Sequence, residues 1–121
     1  MDRLTPLQLQ QALQILPAEL GKQAEKVEDA RKQLDLAKHN FNILEAQKYL
    51  VFEATQDKPT SVHLKAQVTS DPEMDVVHVK VIEAQGKYKQ EEIQLKLLED
   101  KFTAARKIAT LREVELRNIP E

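Results

Sequence analysis

Val27-Glu28-Asp29-Ala30-Arg31-Lys32-Gln33-Leu34-Asp35-Leu36-Ala37-Lys38-His39-Asn40-Phe41-Asn42-Ile43-Leu44 is the stretch that decides the fold. Its residues Val27, Ala30, Leu34, Ala37, Phe41 and Leu44 recur at alternating steps of three and four. Side chains with that spacing line one face of an α-helix and interleave with those of a facing helix. Followed outward, one column reads Leu20, Val27, Leu34, Phe41, Lys48 and Thr55, and the other Gln23, Ala30, Ala37, Leu44 and Val51. Between Ala18 and Gln56 there is no proline, and Gly21 is the sole glycine. A helix is therefore predicted over residues 18–56, on the order of 55–60 Å long at 1.5 Å per residue. Lys48 interrupts its apolar seam, where it sets register, lines a central channel or, the commoner case, lets its long stem carry the charge out to solvent.

A second long helix is predicted over residues 71–118, ending before Pro120. Ser70-Asp71-Pro72-Glu73 is a helix start, with Ser70 read as the cap and Glu73 reaching back to it. Its columns are Val81, Tyr88, Leu95, Phe102, Ala109 and Leu116, with Val77, Ala84, Glu91, Leu98, Ala105 and Arg112. Ahead of the first long helix, Thr5 and Pro6 suit a helix start, and Leu9, Leu13 and Leu16 form a small apolar face. Pro17 is expected to break or redirect that segment, giving a separate helix over residues 1–17. Residues 57–70 are the connector. There Val62 to Val68 alternates like a strand, yet Thr60 or Ser61 as a cap places Leu64 and Val68 on one side of a short helix. The helix is preferred, because a lone strand has no partner in this chain.

Composition agrees with this picture. The 121 residues contain 31% charged and 4% aromatic side chains, two glycines and no cysteine. Such a mix is typical of long helices and coiled coils, and rules out disulfides and thiolate metal sites. The net charge of −2 lacks the basic excess that by itself signals nucleic acid. No run reaches the length of a membrane span, and the start lacks the basic-then-apolar pattern of a signal peptide. A cytoplasmic protein without membrane contact is expected.

Ile43, Leu50, Phe52, Val76, Val79, Ile82, Ile93, Leu97, Ile108, Leu111 and Val114 lie off the narrow seams and widen the apolar face. More than one partner helix is expected per helix, and hence a homo-oligomer. Val27, Leu34, Phe41, Leu44, Val81, Tyr88, Leu95, Leu98 and Phe102 are the expected residues of its core.

Catalysis finds no foothold in these residues. There is no phosphate-cradling glycine loop and no nucleophile elbow. His39, His63 and His78 lack metal-ligand spacing, and the pairs Glu91-Glu92 and Glu99-Asp100 read as solvated faces. No cofactor, metal or catalytic residue is expected. Around the connector, however, Lys48, Lys58, His63, Lys65, His78 and Lys80 gather positive charge. Tyr49 and Phe52 offer rings on which unpaired bases stack. Lys101, Arg106, Lys107 and Arg112 make a second basic set. Nearby carboxylates (Glu53, Asp57, Asp71, Glu73, Asp75) favour the plainer reading that these lysines keep helix faces soluble, unless a ring of copies multiplies the patch.

Leu44-Glu45-Ala46-Gln47-Lys48 resembles the Ile-Glu-Ala-Gln-Lys stretch of the UvsY-type recombination mediators of T-even-like phages. The stretch from Leu64 through Ser70-Asp71 to Val81, Tyr88, Leu98, Lys101, Ala105, Ile108 and Leu111 is similar to that family in spacing and polarity. The resemblance covers roughly residues 40–116. It implies a ring-forming, non-enzymatic helical protein that binds single-stranded DNA. Such a protein helps load a RecA-type recombinase onto DNA coated by single-strand binding protein. Where the family carries Leu-Lys-Ala-Arg after the matching lysine, this chain has Val51-Phe52-Glu53-Ala54-Thr55, so only Lys48 carries over.

The expectation is a single all-α domain: two long antiparallel helices in a hairpin, with a short N-terminal helix and a short connector, assembling as a coiled-coil-like oligomer. The expected function is that of an accessory protein of phage recombination in the bacterial cytoplasm. Its candidate DNA-binding residues are Lys48, Tyr49, Lys58, Lys65 and Lys80. The alternative is a coiled-coil scaffold, chaperone-like or phage-morphogenesis module without nucleic-acid binding.

Overall fold

The computed structural model describes residues 5–118. Residues 1–4 of the expected N-terminal helix, and Pro120, lie outside them. The described chain has three α-helices, α1 (Pro6–Thr55), α2 (Ser61–Ser70) and α3 (Pro72–Arg117), two of them long and none paired with a strand. The all-helical reading and the helical form of the connector therefore hold.

Each boundary has a local cause. Thr5 caps α1 reciprocally: its hydroxyl accepts from the Gln8 amide at 3.1 Å, and its own amide donates to Gln8 Oε1 at 2.9 Å. Such a box satisfies two orphan donors at once. Near the other end of α1, Lys58 adopts φ of 51°, a left-handed turn that is unfavourable for a residue with a side chain. Thr60 then caps α2 by accepting from the His63 amide at 3.2 Å.

Between α2 and α3 stands only Asp71, at φ −70° and ψ 130°. Proline at 72 drives the preceding residue into this extended region, so one residue suffices to end one helix and start the next. The Asp71 amide donates to the Val68 carbonyl at 3.2 Å, and its Oδ1 accepts from the Glu73 amide at 2.9 Å. The cap of α3 is thus Asp71 and not Ser70. The Ser70 hydroxyl belongs to the last turn of α2 and donates backward to the Ala66 carbonyl at 2.9 Å.

Pro17 does not break the first helix: residues 6–17, expected to form a separate helix, are the opening turns of α1. Leu9, Leu13, Leu16, Leu20 and Gln23 continue the three-and-four spacing across it, and all five are covered to some degree. Proline costs its helix one hydrogen bond and a steric clash, ~3 kcal/mol. Burying Leu9 and Leu16 along the same face offsets this, since each large apolar side chain gains ~1.5–3 kcal/mol. Pro17 itself faces solvent.

The chain divides into two compact units. The terminal unit holds residues 5–28 and 90–118 of the described chain. In it, Leu9, Leu16 and Ala105 form a buried cluster flanked by Ala12, Leu13, Leu98, Phe102, Ile108 and Ala109. Gln23, the buried polar residue of this unit, donates through Nε2 to the Glu91 carbonyl at 2.9 Å and to Glu91 Oε2 at 2.8 Å. The central unit holds residues 29–89. It buries Ala30, Leu34, Leu64, Val68 and Met74, and Phe41 meets His78 with ring centroids 5.8 Å apart. In both units α1 and α3 run antiparallel, as a hairpin requires.

The predicted columns are followed closely. From Ala18 to Lys48 every covered residue of α1 lies on them, and so does every covered residue of α3 from Val77 to Ala105. They fail at the ends. Val51 and Leu116 are exposed at 54% and 70%. After Lys48 the covered face of α1 shifts to Tyr49 and Phe52, and Gln56, just past its end, is covered on the same flank. The cause is α2, which lies along that flank; the Gln56 amide hydrogen-bonds Gln67 there.

Candidate functional site

The five candidate DNA-binding residues all fall in the central unit, on three helices and the turn between α1 and α2. Their surroundings differ. Lys48, near the end of α1, extends its ammonium to Glu73 at 3.2 Å and Asp71 at 3.6 Å. These carboxylates sit at the start of α3, where negative charge also complements the helix dipole. Hydrogen bonding to Glu73 raises the Lys48 pKa; desolvation opposes it, and the charges of Asp71 and Glu73 add to the rise. The charge stays on at neutral pH, yet it is matched by two carboxylates. Lys48 ties the end of α1 to the start of α3.

Tyr49, one residue on, is half-buried and turns to the flank that faces α2. With Glu45, Ala46 and Leu50 of α1, and Lys65, Val68 and Thr69 of α2, it lines a groove of about 530 Å³. Helical register explains the pairing: Lys65 and Thr69 are one turn apart on α2, while Glu45 and Tyr49 are one turn apart on α1. The groove has an apolar floor from buried Val68, with exposed Leu50 and the Tyr49 ring on its walls, and one cation and one anion at its rim.

Lys58 lies in a second, more open cleft of about 410 Å³, lined also by Gln56, Asp57, Pro59, Thr60, His63 and Gln67. Asp57 there offsets part of its charge. Lys80 is exposed on α3 and lines neither cleft. The structure thus brings Tyr49 and Lys65 together, places Lys58 beside His63, commits Lys48 elsewhere, and leaves Lys80 apart. Phe52 is half-buried. Reasoning from sequence missed Asp71 and Glu73 as partners of Lys48, and Leu50, Val68 and Thr69 as groove lining. The run Asp71-Pro72-Glu73 was visible as a helix start, but nothing local tells which cation a cap will face.

In the terminal unit, the Arg106 guanidinium lies 5.6 Å from the centre of the Phe102 ring, a cation–π contact. Arg106 and Lys107 also line a shallow groove of about 470 Å³ with Thr103, Thr110 and Leu111. The expected oligomer-core residues are already engaged inside one chain: Leu98 and Phe102 pack on the Leu9–Leu16–Ala105 cluster, and Leu34 is buried. Val27, Phe41, Leu44, Val81, Tyr88 and Leu95 are each partly covered without a second chain. The apolar residues left outside include Leu36, Ile43, Leu50, Val76, Val79, Ile82, Ile93, Leu97, Leu111 and Val114.

Among the described residues no cluster of His, Cys, Asp and Glu is arranged to hold a metal, and no helix is long and apolar enough to cross a membrane. Compared with known proteins, the chain matches no family model, no curated protein and no solved structure.

Proposed function

We propose that this chain is a non-enzymatic, oligomeric accessory protein of DNA recombination that binds single-stranded DNA along its central unit. The groove that joins Tyr49 to Lys65 is the observation that carries this reading. An unpaired base stacks on the tyrosine ring above the apolar floor of Val68, and the next phosphate reaches Lys65. Lys58 and His63 extend the track. Stacking on one aromatic side chain is worth about 1–3 kcal/mol per base and tolerates any sequence. A single chain offers few cations, so useful affinity needs several copies on one strand. The role in loading a RecA-type recombinase onto coated DNA rests on the resemblance at Leu44–Lys48 and the spacing that follows it.

The test is fluorescence anisotropy with a labelled oligonucleotide. Binding is expected at low salt and weakens as salt rises, because neutralising phosphates releases counterions. Tyr49→Ala and Lys65→Glu should each weaken it by about tenfold, in line with one lost stack or one reversed phosphate contact. Absence of binding at low salt overturns the reading.

One observation favours a second reading, a coiled-coil scaffold or interaction module. Lys48, the residue that carries over from the resemblance, is engaged by Asp71 and Glu73. A protein that sediments as an oligomer but ignores the oligonucleotide is the outcome that selects it.

A further inference from the structure

The terminal unit leaves a second stripe of α3 exposed, on the side away from its buried cluster. It reads Ile93, Leu97, Asp100, Ala104, Lys107, Leu111 and Val114, again at steps of three and four. All seven are exposed, the four large apolar members at 46% to 63%. The stripe is ~32 Å long at 1.5 Å per residue. Its order is reversible about Ala104: two apolar residues, an acid, alanine, a base, two apolar residues.

We propose that α3 pairs through this stripe with α3 of a second copy, antiparallel and two-fold symmetric about Ala104. In that arrangement Ile93 meets Val114 of the other copy, and Leu97 meets its Leu111. Asp100 meets its Lys107, and two alanines meet at the crossing, where small side chains let helices approach. A two-fold contact repeats every pairing, so two ion pairs flank the centre. The parallel alternative sets Asp100 against Asp100 and Lys107 against Lys107, like charges facing across an apolar seam. Charge thus selects both the partner, another copy of this chain, and its direction. Asp100 lies 3.5 Å from Lys96 in the same helix, a pair exposed on both sides and held weakly enough to exchange.

This deepens the assembly half of the proposed function, and its test uses no DNA, so it fails or stands apart from the nucleic-acid reading. The chain has no cysteine, which makes single-cysteine variants clean reporters. Asp100→Cys mixed with Lys107→Cys under mild oxidation should give the mixed disulfide dimer in at least tenfold excess over either self-paired product. Self-paired dimers in excess, or no dimer, overturn the proposal. Sedimentation adds a second arm. Asp100→Lys alone and Lys107→Asp alone should each weaken association about tenfold, and the double exchange D100K/K107D should restore it. Single variants that associate like the parent, or a double variant no better than the singles, also overturn it. A parent chain that is monomeric at every concentration removes the assembly itself, while oligonucleotide binding remains separately measurable.

Discussion

The two units use the same pair of helices and solve the same packing problem differently. In the terminal unit two helices meet through leucine and alanine, with one buried amide, Gln23, bonded twice to Glu91. The central unit adds a third helix and relies on polar links as well: Lys48 to Asp71 and Glu73, and Gln56 to Gln67. Two bare helices bury one stripe each and leave the rest to solvent or to another chain. Docking α2 on one flank of α1 buries Leu64 and Val68 and, in doing so, creates a groove. A third helix converts a repetitive seam into a shaped surface, and the candidate site lies where the repetition stops.

Core truncation should separate the units most sharply. Leu64→Ala, at a residue 2% exposed, and Leu16→Ala, at one 8% exposed, should each cost about 2–5 kcal/mol. Hydrogen exchange is the measurement. Leu64→Ala should speed exchange chiefly in residues 29–89, and Leu16→Ala chiefly in the other unit. Uniform acceleration from either would show that the two unfold together.

Proline comes next. Replacing Pro17 by alanine at its exposed position restores a hydrogen bond and should stabilise the chain, by up to ~3 kcal/mol. A lower urea midpoint for this variant would mean that the proline shapes the terminal unit in a way that burial does not reveal.

Gln23→Ala should cost about 1–2 kcal/mol, because it removes the two hydrogen bonds that Gln23 Nε2 donates to Glu91. The central unit should be indifferent to that change. If Gln23→Leu is no worse than the parent, the terminal unit is an apolar seam that merely tolerates its amide.

The polar links of the central unit give the smallest effects. Asp71→Asn keeps the cap on the Glu73 amide, whereas Asp71→Ala loses it, a difference of about 1 kcal/mol. What asparagine alone costs then measures the link to Lys48. That lysine is held above its ordinary value of 10.5. Its contribution is therefore complete below that pH and fades only as pH rises through the higher folded value. Thermal melts of the parent and Lys48→Met should differ by the same amount at pH 7 and pH 9; convergence by pH 9 would contradict the assignment.

Much of this was legible in the residues because helical periodicity is a local property. Covered positions from Ala18 to Lys48 and from Val77 to Ala105 follow from spacing alone. The cap at Thr5 was legible from its residue type, while of Thr60 and Ser61, both offered as caps, the structure uses Thr60. Pro17 misled because its local cost is large, while the compensating burial on the far side of the helix is visible only in three dimensions. Ser70 misled for a related reason: two adjacent residues both cap helices well, and Pro72 decides which one does. The site was less legible. Residues 45–50 and 65–69 belong to one groove, but no spacing rule relates them.

The sequence by itself determined the helical class, the second long helix, and the face buried over residues 18–48 and 77–105, because an apolar stripe at helical spacing has one way to leave water. Only the tertiary structure decided which flank of α1 receives α2, that the Lys48 charge is neutralised by Asp71 and Glu73, and which apolar stripe of α3 stays outside. Those choices depend on pairings between distant segments, where distance and direction matter and order along the chain does not.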